Sequence, residues 1–262
     1  MIPLKDNIRL ERWPIVTLSL IILNISVFIY QLSLGIELFG FLQRYAIIPT
    51  EFFARGEATL QDGSTVPAQL ALYRPLLTSM FLHGGWLHLL GNMLYLWIFG
   101  DNIEDRLGRW RFLLFYLACG ILAACAHLIM NSQSEVPSVG ASGAVSGVLG
   151  AYLLLYPRAR VLTVLPVFFF LQMFELPAGF FIGVWVIQQC LYGTLEFING
   201  GSQIAWWAHI GGFLAGLALL LLLVRPVRLN VQKIKYASAV YLPSLPHSLV
   251  RKDEQTAISI VR

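Results

Sequence analysis

The chain has 262 residues, of which 57% are hydrophobic and only 12% are charged, and its mean hydropathy is +0.70. About a quarter of the residues of a soluble domain are charged, so this chain has too few charges to cover a globular surface. Intrinsic disorder is excluded too, because disordered chains are poor in apolar residues and rich in charge. The composition therefore predicts a bundle of membrane-spanning helices.

Six apolar windows are long enough to cross a bilayer, whose hydrocarbon core of about 30 Å takes roughly 20 residues of helix. None contains Asp, Glu, Lys or Arg, and they cover residues 15–34, 84–100, 112–130, 138–156, 178–195 and 204–224. A further apolar stretch, 161–174, is too short to span and is interrupted by Pro166. We expect it to be re-entrant or interfacial, or else to lengthen the fifth helix with Pro177 as a kink.

Lys and Arg favour the cytoplasmic connections of a membrane protein. Here they are concentrated before the first span, after the second and fourth spans, and in the tail, whereas residues 131–137 and 196–203 contain none. This asymmetry predicts an integral, multi-pass protein with both termini cytoplasmic, and we expect it in a bacterial plasma membrane. The predicted organisation is a cytoplasmic segment (1–14), a six-helix domain (15–226) with a partly interfacial first outer loop (35–82), and a cytoplasmic tail (227–262).

Polar side chains inside spans are costly and point to function. His88 and Asn92 lie near the start of the second span, Ser142 near the start of the fourth, and His209 near the start of the sixth. All three spans run from the outside inwards, so these residues, with His83 just before the second span, lie at a similar depth near the outer leaflet. Residues so far apart in sequence are therefore expected to form one site.

Glycine patterns support this site. Ser142 lies in Gly140-Ala141-Ser142-Gly143 at a predicted helix start, where free backbone N–H groups and the helix dipole can stabilise an oxyanion. His209, Gly212 and Gly216 share one face of the sixth helix, and small residues on both helices allow close packing. The spacing thus predicts that the fourth and sixth helices approach closely enough for Ser142 and His209 to form a hydrogen bond.

This constellation indicates nucleophilic catalysis. Ser142 needs a base near neutral pH, and His209 is the candidate, which would later protonate the leaving amine. His88 and Asn92, four residues apart on one helix face, would hold the oxyanion together with the Ser142 backbone N–H. No carboxylate lies inside the spans, so we expect a Ser–His dyad rather than a triad.

Other polar residues have simpler explanations. His83 is expected to tie down the preceding loop through a structural hydrogen bond, and His127 has no partner motif. Trp206 and Trp207 fit an aromatic belt at the membrane interface. Helix–helix hydrogen bonding accounts for the amide side chains of the first and fifth spans, namely Asn24, Gln31, Gln188 and Gln189.

Other mechanisms fit less well. A zinc protease would use His-Glu-x-x-His, but His83 and His88 are five residues apart with no Glu between them. An aspartyl intramembrane protease needs two aspartates within its spans, and there are none. A small transporter is the main non-enzyme alternative, although transporters usually contain internal repeats and none is visible here.

Three motifs make the chain resemble the rhomboid family of intramembrane serine proteases: His83-x4-His88-x3-Asn92, Gly140-Ala141-Ser142-Gly143, and Ala208-His209-Ile210-Gly211-Gly212 with Gly216. The resemblance covers roughly residues 12–224. It implies an all-α bundle of six transmembrane helices, with Ser142 as nucleophile, His209 as base, and His88 and Asn92 at the oxyanion. Gly140, Gly143, Gly212 and Gly216 would give structural support.

The resemblance also implies cleavage of single-pass membrane proteins near the outer membrane face. Such substrates would enter laterally from the lipid bilayer, with the fifth helix and its flanking cap loop as the gate. No metal, cofactor or nucleic acid is expected. An inactive rhomboid-like protein that binds transmembrane clients is the alternative within the family.

The chain departs from the family pattern at two places. Family members often carry Trp-Arg in the first loop, where this chain has Tyr73-Arg74. Many also have a tyrosine four residues after the nucleophile, which packs on the catalytic histidine, and here that position is Ser146. The residue that packs on His209 is therefore left open by the sequence.

Overall fold

A computed structural model describes residues 1–53, 58–59, 65–66, 68–167, 170–199 and 204–223. The chain divides into two units, Met1–Leu223 and Val224–Arg262, and the second, which contains the predicted tail, lies outside the described residues. The first unit is mainly helical. Its α-helices are α1 (Ile15–Ser33), α2 (Leu38–Tyr45), α3 (Pro49–Phe53), α4 (Ala68–Thr78), α5 (Trp86–Tyr95), α6 (Asp101–Leu107), α7 (Arg109–Met130), α8 (Ser142–Leu155), α9 (Ala178–Asn199) and α10 (Trp206–Leu223).

Each of the six predicted spans contains a helix. Within the described residues, α1, α7, α9 and α10 are long and apolar enough to cross a membrane, and α8 is a shorter apolar helix. The second predicted span, residues 84–100, contains α5 and a π-helical turn (Leu96–Gly100), and α6 follows it directly. The structure thus confirms a polytopic, all-α membrane bundle.

A carboxylate from α6 caps the start of α1. The backbone N–H groups of Val16 and Thr17 donate to the two carboxylate oxygens of Glu104, at 2.9 Å and 2.7 Å. The first N–H groups of a helix have no partner within the helix, and a negative charge there also complements the helix dipole. One side chain therefore both caps α1 and ties it to α6.

Helix α8 is the core of the bundle, since all its residues from Gly143 to Tyr152 are buried. It packs on α10 through glycines: a Cβ atom added to Gly212 or Gly216 would overlap the carbonyl oxygen of Gly143 or Gly147. Lipid supplies little hydrophobic drive between helices, so such close van der Waals contact is what holds them together. The two backbones therefore lie as close as the glycine pattern predicts.

The stretch 161–174 does not lengthen the fifth helix. It belongs to a hairpin of β4 (Arg160–Val167) and β5 (Phe170–Pro177), and β4 also pairs with β1 (Ile2–Asp6) in the antiparallel order β1-β4-β5. The physical reason is that a strand needs far fewer residues than a spanning helix, and a remote partner strand satisfies its backbone groups. Helix α9 follows directly at Ala178.

Arg74 supports the first loop even though the preceding residue is Tyr rather than Trp. Its guanidinium donates to the carbonyl oxygen of Arg44 at 2.7 Å and lies 4.7 Å from the ring centroid of Tyr45. The hydroxyl of Thr78 donates to the carbonyl oxygen of Tyr45 at 2.8 Å. These contacts fasten α4 to the end of α2. Within the same loop, β2 (Ala58–Thr59) pairs with β3 (Thr65–Val66).

Candidate active site

The segment that leads into Ser142 is held on both sides. Ser138 and Ile47 of the first loop exchange backbone hydrogen bonds of 2.7 Å and 3.1 Å, and the N–H of Gly140 donates to the carbonyl oxygen of Ser79 at 2.9 Å. Gly140 has φ +128°, a conformation that L side chains rarely adopt, and a Cβ atom there would lie 2.6 Å from Nε2 of His88. Only glycine suits this position.

The side chains of Ser142 and His209 meet inside the bundle. Ser142 is the first residue of α8 and His209 lies in the first turn of α10. The hydroxyl oxygen of Ser142 lies 2.8 Å from Nε2 of His209, which is hydrogen-bonding distance. The close approach of α8 and α10 makes this contact possible.

The other ring nitrogen of His209 contacts Gln189, a residue that the sequence does not assign to the site. Its Nδ1 lies 2.7 Å from Oε1 of Gln189 on α9. We expected Gln188 and Gln189 to serve general helix–helix bonding, but the two differ, since Gln189 is buried and Gln188 is exposed. The sequence signal for Gln189 is an amide within a span of a chain whose candidate histidine base has no carboxylate partner.

Two tryptophans pack around His209 in place of the family tyrosine. Ring centroids of Trp185 and Trp206 lie 6.2 Å and 6.1 Å from that of His209. Trp206 also stacks on Tyr192 of α9 at 5.0 Å, so it serves the site as well as any interfacial belt. Ser146, at the position of the tyrosine, donates its hydroxyl to the carbonyl oxygen of Ser142 at 2.6 Å.

A cavity of about 950 Å³ opens beside the Ser–His pair, and its walls include His88, Asn92, Ser142 and His209. Nδ2 of Asn92 is buried and has no hydrogen-bond partner within the described part of the chain. An unpaired buried donor is costly, and sites of this kind commonly have a functional reason. The N–H of Gly84 points to Nδ1 of His88 at a long 3.4 Å, which leaves Nε2 of His88 as the ring donor.

His83 and His127 also have defined surroundings. The backbone of His83, rather than its ring, ties the loop to α1, through bonds of 3.0 Å and 3.2 Å with the amide of Gln31. Its ring packs edge-on against His88 at 5.1 Å. His127, which lacked a partner in the sequence, accepts a hydrogen bond from Asn131 at 3.1 Å and lines the same cavity.

A helix bundle of this hydropathy, with a Ser–His pair at the start of a glycine-packed helix, defines a polytopic membrane protein with a candidate intramembrane hydrolase site. Residues 70–226 match the family model described as "Rhomboid domain". The chain belongs to the rhomboid family.

Several relatives are similar to parts of this chain. "Rhomboid protease GluP" of Bacillus subtilis is 38% identical over 145 residues, which are 55% of this chain and 25% of that protein. "Presenilin-associated rhomboid-like protein, mitochondrial" of Homo sapiens is 31% identical over 158 residues, 58% of this chain and 38% of the relative. "Rhomboid protein 1, mitochondrial" of Saccharomyces cerevisiae is 27% identical over 208 residues, 76% of this chain and 50% of that protein. The chain thus spans half or less of the length of these relatives.

Proposed function

We propose that the protein is an intramembrane serine endopeptidase that cleaves single-pass membrane proteins in or beside their transmembrane segments. The observation that carries the proposal is the 2.8 Å contact between the Ser142 hydroxyl and Nε2 of His209, inside an apolar bundle and beside an open cavity. A serine hydroxyl becomes a useful nucleophile when an adjacent base takes its proton.

The reaction follows from the roles of these groups. His209 accepts the hydroxyl proton as Oγ of Ser142 attacks the scissile carbonyl carbon, and the carbonyl oxygen becomes an oxyanion. The backbone N–H of Ser142, Nδ2 of Asn92 and Nε2 of His88 are the proposed donors to that oxyanion. His209 then protonates the leaving amine, and water hydrolyses the acyl-enzyme with His209 as base again.

The membrane arrangement is part of the same proposal. The protein is an integral membrane protein, and we propose that the site faces the extracytoplasmic leaflet of a bacterial plasma membrane, with both termini cytoplasmic. The catalytic domain covers residues 15–226, with 1–14 and 227–262 as cytoplasmic flanks. Substrates enter laterally beside α9 and its cap loop.

Cleavage of a transmembrane substrate by the purified protein in liposomes tests this function. Ser142→Ala and His209→Ala should each abolish cleavage, and a fluorophosphonate probe should label Ser142. Ser146→Ala is the matched control, because Ser146 lies one turn along the same helix and bonds its own helix backbone. A chelator should have no effect. A folded wild-type protein that neither cleaves nor takes the probe would instead favour the inactive, client-binding alternative.

A further inference from the structure

A Ser–His pair works only if the histidine presents a lone pair to the serine. Nε2 of His209 must accept the proton of Ser142, so Nδ1 must carry the ring hydrogen. Neutral imidazole has two tautomers, and the partner of the second nitrogen decides which one is present. The group that faces Nδ1 therefore decides whether Ser142 can be activated.

That group is the side-chain oxygen of Gln189, 2.7 Å from Nδ1. An amide oxygen accepts hydrogen bonds and cannot donate one. The contact therefore favours hydrogen on Nδ1, which leaves the lone pair of Nε2 directed at Ser142. One of the two tautomers satisfies both bonds, and it is the productive one.

Gln189 is well placed to hold the ring still. Its side chain is 4% exposed, so water does not compete freely for the bond. It lies on α9, whereas the dyad lies on α8 and α10. Trp185 lies one turn earlier on α9 and packs on the same imidazole. Helix α9 thus contacts His209 twice, once through a ring and once through a hydrogen bond.

We propose that Gln189 is a positioning residue that orients His209 and fixes its Nδ1–H tautomer, the role that an aspartate has in a serine-protease triad. This inference rests on the proposed protease function. A neutral amide suits the location, because burying an isolated carboxylate within a bilayer is costly. The amide supplies orientation without that charge.

Replacement of the amide separates this role from packing. Gln189→Leu keeps a similar volume and removes the acceptor, and kcat should fall roughly 10²-fold, as for a misplaced catalytic group, with KM little changed. Gln188→Leu is the matched control, because it makes the same chemical change at the neighbouring residue, whose side chain is exposed and lies outside the site.

A measurement on the unaltered protein does not depend on the variants folding. Nitrogen-15 NMR of labelled His209 should show hydrogen on Nδ1, and the opposite tautomer would overturn the proposal. Equal kcat in wild type and Gln189→Leu would overturn it as well. If wild type labels at Ser142 and cleaves substrate while Gln189→Leu is unimpaired, the positioning role alone fails. If wild type does neither, the protease function fails and the positioning role fails with it.

Discussion

Asn92 carries a buried donor that none of the described residues satisfies. Its removal should therefore affect activity and stability differently. We expect Asn92→Leu to lower kcat roughly 10²-fold, the usual effect of losing one oxyanion donor. The unfolding temperature in detergent should not fall, because an unsatisfied buried donor costs about 1–3 kcal/mol. A variant that loses stability and activity together would mark Asn92 as a structural residue instead.

Gly140 has both a positive φ and a close neighbour, whereas Gly35 has only the positive φ. Gly35 also has a positive φ, +51°, but a Cβ atom there meets nothing within 4 Å, whereas at Gly140 it meets the His88 ring. Gly35→Ala should therefore cost only backbone strain, about 1–2 kcal/mol. Gly140→Ala should displace His88 as well and lower cleavage. Thermal unfolding and substrate turnover, measured on both variants, check this difference, and full activity in Gly140→Ala would contradict it.

At the scale of helices, the α8–α10 contact is the element that brings the dyad together. A Cβ atom on Gly216 would overlap the backbone of Gly147, whereas one on Gly183 of α9 meets nothing within 4 Å. We expect Gly216→Ala to push α8 and α10 apart, lowering both the unfolding temperature and probe labelling of Ser142. Gly183→Ala should be neutral or slightly stabilising, since alanine favours helix by about 1 kcal/mol over glycine. Equal behaviour of the two variants would show that the glycine contact does not position the dyad.

The elements differ in how far the sequence predicts them. The four spanning helices α1, α7, α9 and α10 follow from apolar length alone, and the glycine faces follow from helical spacing. The β4–β5 hairpin does not, because its apolar run resembles a short buried helix and its partner strand β1 lies at the other end of the chain. The contact of Gln189 with His209 was missed for a related reason: an amide within a span has the same local signature whichever group of a neighbouring helix it bonds. Only tertiary contacts separate these cases.

Across the whole molecule, helix α8 is fixed at both ends. Ser142 lies at its start, and near its other end the hydroxyl of Tyr152 donates to the carboxylate of Asp6 at 2.5 Å. The amide of Asn102 donates to the same carboxylate oxygen at 2.9 Å. Asp6 thereby joins β1, α6 and α8, and burial raises the pKa of its carboxyl group. The N-terminal strand thus fastens α8 at the end remote from Ser142.

Asp101, the first residue of α6, makes the stability of the contacts around Asp6 depend on pH. Burial raises the pKa of its carboxyl group to about 8, and the carboxylates of Asp6, Glu104 and Asp105 act in the same direction. A folded-state pKa above the unfolded value of 3.8 means that the folded protein holds this proton more tightly. The contribution to the free energy of unfolding is then complete below pH 3.8 and is lost as the pH rises to about 8.

Comparison with Asp101→Asn isolates this contribution from other titrations. The unfolding temperature of the wild type, relative to that of the variant, should fall as the pH rises and level off above about pH 8, where Asp101 is ionised in both states. Thermal unfolding in detergent over a pH series measures it. Curves for Asp101→Asn that run parallel to those of the wild type would mean that the buried carboxyl group does not couple proton binding to folding.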